Sequence, residues 1–258
     1  MSNEETILVE RSGGVVTITM NRPKRKNALT HAMYEAFASA LQESDADDSV
    51  RVVVVRGEGG AFTSGNDLAD FIQPGAAEKM GPVLRFLDTL LTLNKPLVAA
   101  VEGPAIGVGL TMLLHCDLVF AADTAIFGAP FTKLGLVPEA GSSMLLAQRV
   151  GSAWAGDLLL AGRTLNAEEA LSCGLVSRVV APESLSALAE EVASHMATLA
   201  PKSMLASKAL MRGDISGLRA RMNEEAALFA EQLASSEFRE SVMAIKEKRA
   251  PRFAEAKA

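Results

Sequence analysis

The sequence is poor in cysteine and in aromatic residues, and it has no excess of positive charge. Its 258 residues include 2 cysteines, 5% aromatic residues, and 25 basic against 31 acidic side chains, so the net charge is −6. Cys116 and Cys173 each lie in an apolar stretch, which argues against a disulfide framework and for a reducing compartment. The negative balance removes the positive field that nucleic-acid binding requires. We expect a cytoplasmic protein with no nucleic-acid partner.

Signals for export and membrane insertion are also missing. The first 11 residues carry three glutamates and lack a basic start followed by an apolar run, so we expect no secretory signal. The most apolar stretch, residues 97–122, is interrupted by glycine, proline and charged residues. It is too polar for a span of about 20 apolar residues. We therefore expect no membrane partner.

Several motifs of cofactor chemistry are absent. The segment Gly107-Val108-Gly109 would need a further glycine at Met112 to match a dinucleotide fingerprint, and no Gly-Lys-Ser or Gly-Lys-Thr triplet occurs. The three histidines lack metal-ligand spacing, and there is no Gly-x-Ser-x-Gly motif. We expect no metal and no nucleotide cofactor.

What the sequence does contain is an alternation of strand and helix patterns. Residues 7–10 and 15–20 flank the glycines of a predicted hairpin turn. Thr30 is a good N-cap, and apolar β-branched runs indicate strands that are buried on both faces. The other predicted elements are strands at residues 51–56, 97–101, 117–121 and 176–180, and helices at residues 31–42, 83–93 and 107–114.

Beyond Glu183 the pattern is helical, without strand signals. The sequence thus predicts an α/β core over residues 1–195 and an α-helical region over residues 196–258. From Pro201 onward this region carries more apolar side chains than it could bury alone, so we expect it to pack between subunits. The predicted helices here are residues 184–198, 202–211, 224–233 and 237–248.

Three segments are candidates for chemistry. Residues 61–68 and 102–109 follow buried strands and present main-chain N–H groups, and two such loops together can stabilise a developing oxyanion. Each loop alone is more commonly a structural turn. In the third segment, residues 125–144, Glu139 precedes a predicted helix start, where an acid is also favoured simply by the helix dipole.

Taken together, the chain resembles the crotonase superfamily, also called the enoyl-CoA hydratase/isomerase family. The resemblance implies a crotonase-like spiral of ββα units, a C-terminal helical oligomerisation region, and a homotrimer or dimer of trimers. It also implies an acyl-CoA thioester whose carbonyl oxygen meets the backbone amides of Ser64 and Val108. The segments that carry it are Asn21-Arg22-Pro23, Asn27-Ala28-Leu29, residues 62–68, Lys95-Pro96-Leu97, Gly103-Pro104-Ala105, Cys116-Asp117, Phe127-Gly128, Gly174-Leu175-Val176 and Glu247-Lys248-Arg249.

The chain departs from the hydratases of that family at two positions. The two catalytic glutamates of hydratases match Thr111 and Phe131, and neither side chain can activate water or protonate carbon well near neutral pH. Residues 136–143 instead resemble the peroxisomal type of Δ3-Δ2-enoyl-CoA isomerase, whose single catalytic glutamate matches Glu139. One carboxylate suffices to move a double bond, because it can remove one proton and return another.

The resemblance also implies a binding surface for the substrate. Basic residues at 22–26 lie where the family meets the phosphates and adenine of CoA, and basic residues near the C-terminus could join them. CoA would be part of the substrate, and no further cofactor is expected. The implied substrate-binding residues are Lys24, Ala28, Ser64, Gly65, Asn66, Asp67, Leu68 and Gly107.

Other functions remain open at this point. On the same scaffold the chain could be hydratase-like, or Glu139 could isomerise a ring-derived acyl-CoA or act as a nucleophile as in aroyl-CoA dehalogenases. Glu102 is a second, less favoured candidate acid. The chain could also be a non-catalytic acyl-CoA-binding protein, and a turnover assay with 3-enoyl-CoA separates that function from catalysis.

Overall fold

The computed structural model describes residues 5–72, residue 75 and residues 79–255. Strands alternate with helices as far as residue 180, and helices follow. The strands are β1 (Ile7–Ser12), β2 (Val15–Met20), β3 (Val52–Gly57), β4 (Leu97–Val101), β5 (Pro104–Ile106), β6 (Leu118–Ala122), β7 (Ile126–Gly128), β8 (Thr164–Asn166) and β9 (Arg178–Val180). The helices are α1 (His31–Ala46), α2 (Leu68–Phe71), α3 (Gly81–Thr92), α4 (Val108–Thr111), α5 (Ser142–Val150), α6 (Ser152–Leu159), α7 (Ala167–Ser172), α8 (Pro182–Thr198), α9 (Pro201–Arg212), α10 (Ser216–Leu233) and α11 (Ser236–Glu247).

The strands form two sheets. The larger has the order β1-β2-β3-β4-β6-β9, in which only the β1–β2 pair is antiparallel. The smaller has the order β5-β7-β8. Strands β4 and β5, and then β6 and β7, follow each other directly in the chain but belong to different sheets. These two passes of the chain each add a strand to both sheets, which confirms the predicted α/β spiral.

The first elements form for local reasons. Strands β1 and β2 pair from Ile7 with Met20 to Ser12 with Val15, and the turn glycines Gly13 and Gly14 have positive φ, as the hairpin pattern predicted. Thr30 caps α1 by accepting a hydrogen bond from the Met33 N–H group at 3.3 Å. Helix α1 extends four residues beyond the predicted end at residue 42. The polar Ser44 continues its buried face, because its hydroxyl donates to the Ala40 carbonyl oxygen.

Strands β3 and β4 are buried on both faces, as their apolar runs predicted. Val53 and Val55 belong to the core that includes α1 and α3, whereas Val52 and Val54 belong to a second core formed with α8. Helix α8 therefore covers the sheet rather than forming part of a separate appendage. The predicted division between residues 195 and 196 falls inside this helix.

Several element bounds differ from the predicted ones. The helix predicted at residues 107–114 is the single turn α4 followed by a 3-10 turn at Met112–His115, which leads directly into β6. The strand predicted at residues 176–180 is only β9. Helix α10 begins eight residues before the predicted start at Glu224. The sequence pattern did not reveal its first half, because few apolar side chains are fully buried there and no clear periodicity results. Among the described residues, no helix is both long and apolar enough to cross a membrane.

Candidate active site

The two glycine-containing loops meet, backbone against backbone. The Thr63 N–H group donates to the Pro104 carbonyl oxygen at 2.9 Å, and the Ile106 N–H group donates to the Thr63 carbonyl oxygen at 3.0 Å. Gly65 has a φ of +93°, and a Cβ atom there would lie 2.8 Å from the Ile106 carbonyl oxygen. Only glycine allows this approach. The convergence predicted for residues 61–68 and 102–109 is present.

Hydrogen bonds within these loops decide which amides are free. The Ser64 N–H group donates to the Lys26 carbonyl oxygen at 2.9 Å, so it is not free for the role that the sequence suggested. Leu29 pairs with both neighbours of Asn66: its N–H group donates to the Gly65 carbonyl oxygen, and its carbonyl oxygen accepts from the Asp67 N–H group, both at 2.8 Å. In this parallel pairing the N–H group of Asn66 points to the opposite side.

The second amide belongs to Val108, the first residue of α4. The first N–H groups of a helix have no acceptor within it. The residue before Val108 is Gly107, which has a φ of +58°. The N–H group of Gly107 donates to the Gly128 carbonyl oxygen at 2.8 Å. Within the described residues, neither Asn66 nor Val108 donates a backbone hydrogen bond. In the part of the chain that the structure describes, Asn66 and Val108 thus present unpaired amides, whereas the Ser64 amide that the resemblance implied for this role is engaged.

A small cavity of about 80 Å³ lies between the first loop, residues 61–68, and the turn that carries Glu139. Asn66 and Glu139 supply its polar lining, and the other walls come from α3 with the residue before it, from Ala140 and from α10. The apolar lining residues are Met80, Val83, Leu84, Leu87, Ala140, Met222, Ala226, Phe229 and Ala230.

Glu139 is the buried acid at this cavity, with 7% of its surface exposed. Its Oε1 atom accepts a hydrogen bond from the Thr111 hydroxyl, whereas its Oε2 atom is buried without a partner. Burial raises the pKa of Glu139 to about 7, although the Thr111 hydrogen bond lowers it and the nearby Glu225 raises it further. Such a carboxyl group can both accept and donate a proton near neutral pH. Phe131 and Thr111, the two residues that the resemblance matches to the hydratase acids, are both buried, and neither carries a carboxyl group.

Three supporting residues were not found by sequence reasoning. His115 and Glu225 contact the turn around Glu139, and Tyr34 of α1 donates its hydroxyl proton to the side-chain oxygen of Asn66. Burial and the charge of Glu139 raise the pKa of Tyr34 well above its ordinary value, so its phenol stays protonated. A signal existed for Glu225, because it lies four residues before the buried Phe229 on the same face of α10.

The predicted substrate-binding residues lie in the first loop at residues 64–68, in the second loop at Gly107, and in the segment before α1 at Lys24 and Ala28. Lys24 is exposed in a 3-10 turn, and the Ala28 carbonyl oxygen accepts from the Arg22 guanidinium at 3.0 Å. Burial acts to raise the pKa of Asp67, but hydrogen bonds from Arg22 at 2.5 Å and from the Ala69 N–H group lower it overall. Asp67 also caps α2, which begins at Leu68. Through these hydrogen bonds the Asp67 carboxylate stabilises the first loop.

Comparisons with known proteins bear on the family of this chain. A family model described as enoyl-CoA hydratase/isomerase matches residues 10–256. The chain is 42% identical over 228 residues to the rat (Rattus norvegicus) protein Enoyl-CoA delta isomerase 2, covering 85% of this chain but only 57% of the rat protein. It is 38% identical over 253 residues to a probable enoyl-CoA hydratase of Mycobacterium bovis, covering 96% of this chain and 98% of that protein.

A solved structure extends the comparison to three dimensions. The crystal structure of an enoyl-CoA hydratase/isomerase from Pseudoalteromonas atlantica has a TM-score of 0.92 and 51% sequence identity, and covers 96% of this chain and 100% of that one. The family model and this structure both span nearly the whole chain. The chain therefore belongs to the enoyl-CoA hydratase/isomerase family of acyl-CoA enzymes.

Proposed function

We propose that this chain moves the double bond of a 3-enoyl-CoA thioester to the 2 position, with Glu139 as the proton carrier. The observation that carries the proposal is the state of the Glu139 carboxyl group. One of its oxygens is held by Thr111, the other is buried and unpartnered, and its pKa is about 7. A general base works best when its pKa lies near the working pH.

The substrate and the product of this reaction contain the same atoms. Glu139 removes a proton from C2, and the electrons of that bond form a dienolate whose charge rests on the thioester oxygen. The protonated Glu139 then returns a proton to C4, which leaves the double bond between C2 and C3. The free amides of Asn66 and Val108 are suited to donate to the thioester oxygen, and one such donor is worth about 3–4 kcal/mol.

Isomerisation fits these residues better than hydration does. Hydration needs a base to activate water and an acid to protonate the α-carbon, and Thr111 and Phe131 stand at the two positions where hydratases carry glutamates. The apolar walls of the cavity also favour a reaction that uses no water.

CoA enters the proposal only as part of the substrate. We assign its phosphates and adenine to the surface formed by Lys24, Ala28 and the loop at residues 64–68. Calorimetry with free CoA tests this assignment, and we expect binding without added metal or nicotinamide. No binding of CoA or acyl-CoA at millimolar concentration would remove the basis of the proposed function.

The catalytic test follows two reactions side by side, 3-enoyl-CoA to 2-enoyl-CoA conversion and 2-enoyl-CoA hydration. We expect the wild type to isomerise faster than it hydrates. Glu139→Gln keeps the size of the side chain but removes the base, so turnover should fall by roughly 10²–10⁴-fold while acyl-CoA still binds. Glu102→Gln is the matched control, since this half-buried glutamate does not line the cavity, and its turnover should stay near that of the wild type.

Each alternative gives a different result in the same assays. Faster hydration than isomerisation would favour a hydratase, and halide release from an aroyl-CoA would favour a nucleophilic role for Glu139. Acyl-CoA binding without turnover of any of these substrates would favour a binding protein. Isomerisation by Glu139→Gln at the wild-type rate would show that the proton carrier is another group.

A further inference from the structure

The turn that carries Glu139 has a costly backbone conformation. Ala140 has a φ of +59° and Gly141 a φ of +71°, so two successive residues are left-handed and the first has a Cβ atom. Such a turn persists only where surrounding contacts hold it. One contact comes from His115, whose Nε2 atom donates to the Ala140 carbonyl oxygen at 2.8 Å. Burial lowers the pKa of His115 to about 4, so it acts as a neutral donor.

Glu225 of α10 holds the other side of the same turn. Its Oε2 atom accepts from the Gly141 N–H group at 2.6 Å, and its Oε1 atom accepts from the Ser143 N–H group at 3.0 Å. These amides belong to the start of α5, whose N-cap is Gly141 and therefore has no side chain to accept them. A buried carboxylate from a distant helix supplies the missing cap, and Glu225 is only 4% exposed.

Helix α10 also packs directly on this turn. A Cβ atom at Gly141 would lie 2.4 Å from Leu218 Cδ1 and 3.3 Å from Met222 Cγ. Leu218, Met222 and Glu225 share one face of α10, because they are spaced by four and three residues. Met222 lines the cavity at Glu139 as well. The C-terminal helical region thus contacts both the catalytic turn and the space beside it.

The contact adds charge as well as hydrogen bonds. The negative charge of Glu225 raises the pKa of Glu139, in the same direction as burial. The other titratable groups that face this turn are Tyr34 of α1 and His115 of the 3-10 turn, and both are neutral near pH 7. Within the described part of the chain, no lysine or arginine forms an ion pair with Glu225.

We propose that Glu225 is a positioning residue for this reaction: it fixes the Glu139 turn through two backbone amides and places a negative charge beside the proton carrier. The inference rests on the proposed function for its effect on turnover. Its effect on the ionisation of Glu139 does not depend on which reaction the enzyme performs.

The test combines kinetics with infrared difference titration of the Glu139 carboxyl band, which is identified as the band missing from Glu139→Gln. Glu225→Gln has one side-chain oxygen, so it can serve only one of the two amides, and it carries no charge. We expect kcat for isomerisation to fall by roughly 10–100-fold with little change in KM. We also expect Glu139 to titrate at lower pH than in the wild type, because a carboxylate ionises more easily without a negative neighbour.

The matched control is Glu224→Gln. Glu224 precedes Glu225 on α10 but is exposed and pairs with Arg221 at the surface, so turnover and titration should both match the wild type. A merely structural role for Glu225 would reduce the active fraction in Glu225→Gln without moving the Glu139 titration. An unmoved titration would overturn the proposal, whether turnover is reduced or matches the wild type.

Two further results separate this inference from the proposed function. If the wild type fails to isomerise but the Glu139 titration still moves in Glu225→Gln, the proposed reaction is wrong and the electrostatic role of Glu225 stands. If Glu225→Gln does not fold, Glu225→Asp decides, because it keeps the charge on a shorter side chain. We expect that variant to titrate near the wild type with reduced kcat, and wild-type kcat would overturn the positioning role.

Discussion

At the scale of residues, burial and the contact with Thr111 together set the pKa of Glu139 and so the pH range in which the proposed reaction runs. The base must be ionised to remove a proton, and burial holds its pKa at about 7 against the Thr111 hydrogen bond, which lowers it. We therefore expect kcat/KM for isomerisation to rise about tenfold per pH unit below pH 7 and to level off above it. A pH–rate profile of the wild type measures this limb.

Substitution of Thr111 tests the same contact. Thr111→Val removes the hydroxyl that stabilises the carboxylate, so the acidic limb should move to higher pH and kcat should fall by about tenfold. Thr111→Ser keeps a hydroxyl, and its limb should stay nearer to the wild-type position. If Thr111→Val left the limb where it was, another group would be controlling the ionisation of Glu139.

At the scale of elements, the approach of two loops creates the pair of free amides. Gly65 makes this approach possible, since a Cβ atom there would press on a backbone oxygen rather than on a movable side chain. Gly65→Ala should separate the loops and lower kcat by roughly 10²-fold, because displacements of about 1 Å have effects of this size. Steady-state kinetics and thermal unfolding measure the two consequences separately.

Gly151→Ala is the matched control for backbone strain. Gly151 has a φ of +81°, close to that of Gly65, but no atom lies within 4 Å of a Cβ atom placed there. Both variants place a Cβ atom on a backbone with positive φ, at a cost of roughly 1–3 kcal/mol of stability. Only Gly65→Ala should also lose turnover, and an equal loss of kcat in both variants would contradict the role of the loop contact.

At the scale of the whole molecule, α9 presents apolar side chains that a single chain leaves uncovered. Leu210 and Met211 are 83% and 81% exposed. We expect them to be covered in a trimer or a dimer of trimers, so light scattering should give three or six times 27.1 kDa. Leu210→Glu combined with Met211→Glu should produce smaller particles, because charges would be buried at the interface.

Ser203→Glu provides the control on the same helix. It adds a charge at an exposed polar position, and the particle mass should not change. A stable particle of 27.1 kDa for the wild type at micromolar concentration would contradict the expected assembly.

Much of the fold follows from local patterns. The hairpin at Gly13 and Gly14, the cap at Thr30 and the strands β3 and β4 depend on neighbouring residues, and the structure confirms each of them. Element bounds were less predictable where polar residues extend a buried face, as Ser44 does in α1. The docking of α8 on the sheet could not be predicted, because a helix pattern does not specify which surface covers its apolar face.

The sequence by itself determined the α/β spiral, the family resemblance and the position of Glu139 next to a helix start. Only the tertiary structure decided which amides are free, because the pairing of Lys26 and Leu29 with the loop engages the Ser64 amide and turns that of Asn66 away. The same holds for Glu225, which reaches the Glu139 turn from a distant helix. Hydrogen-bond direction and charge proximity depend on how remote segments pack, and no local pattern encodes them.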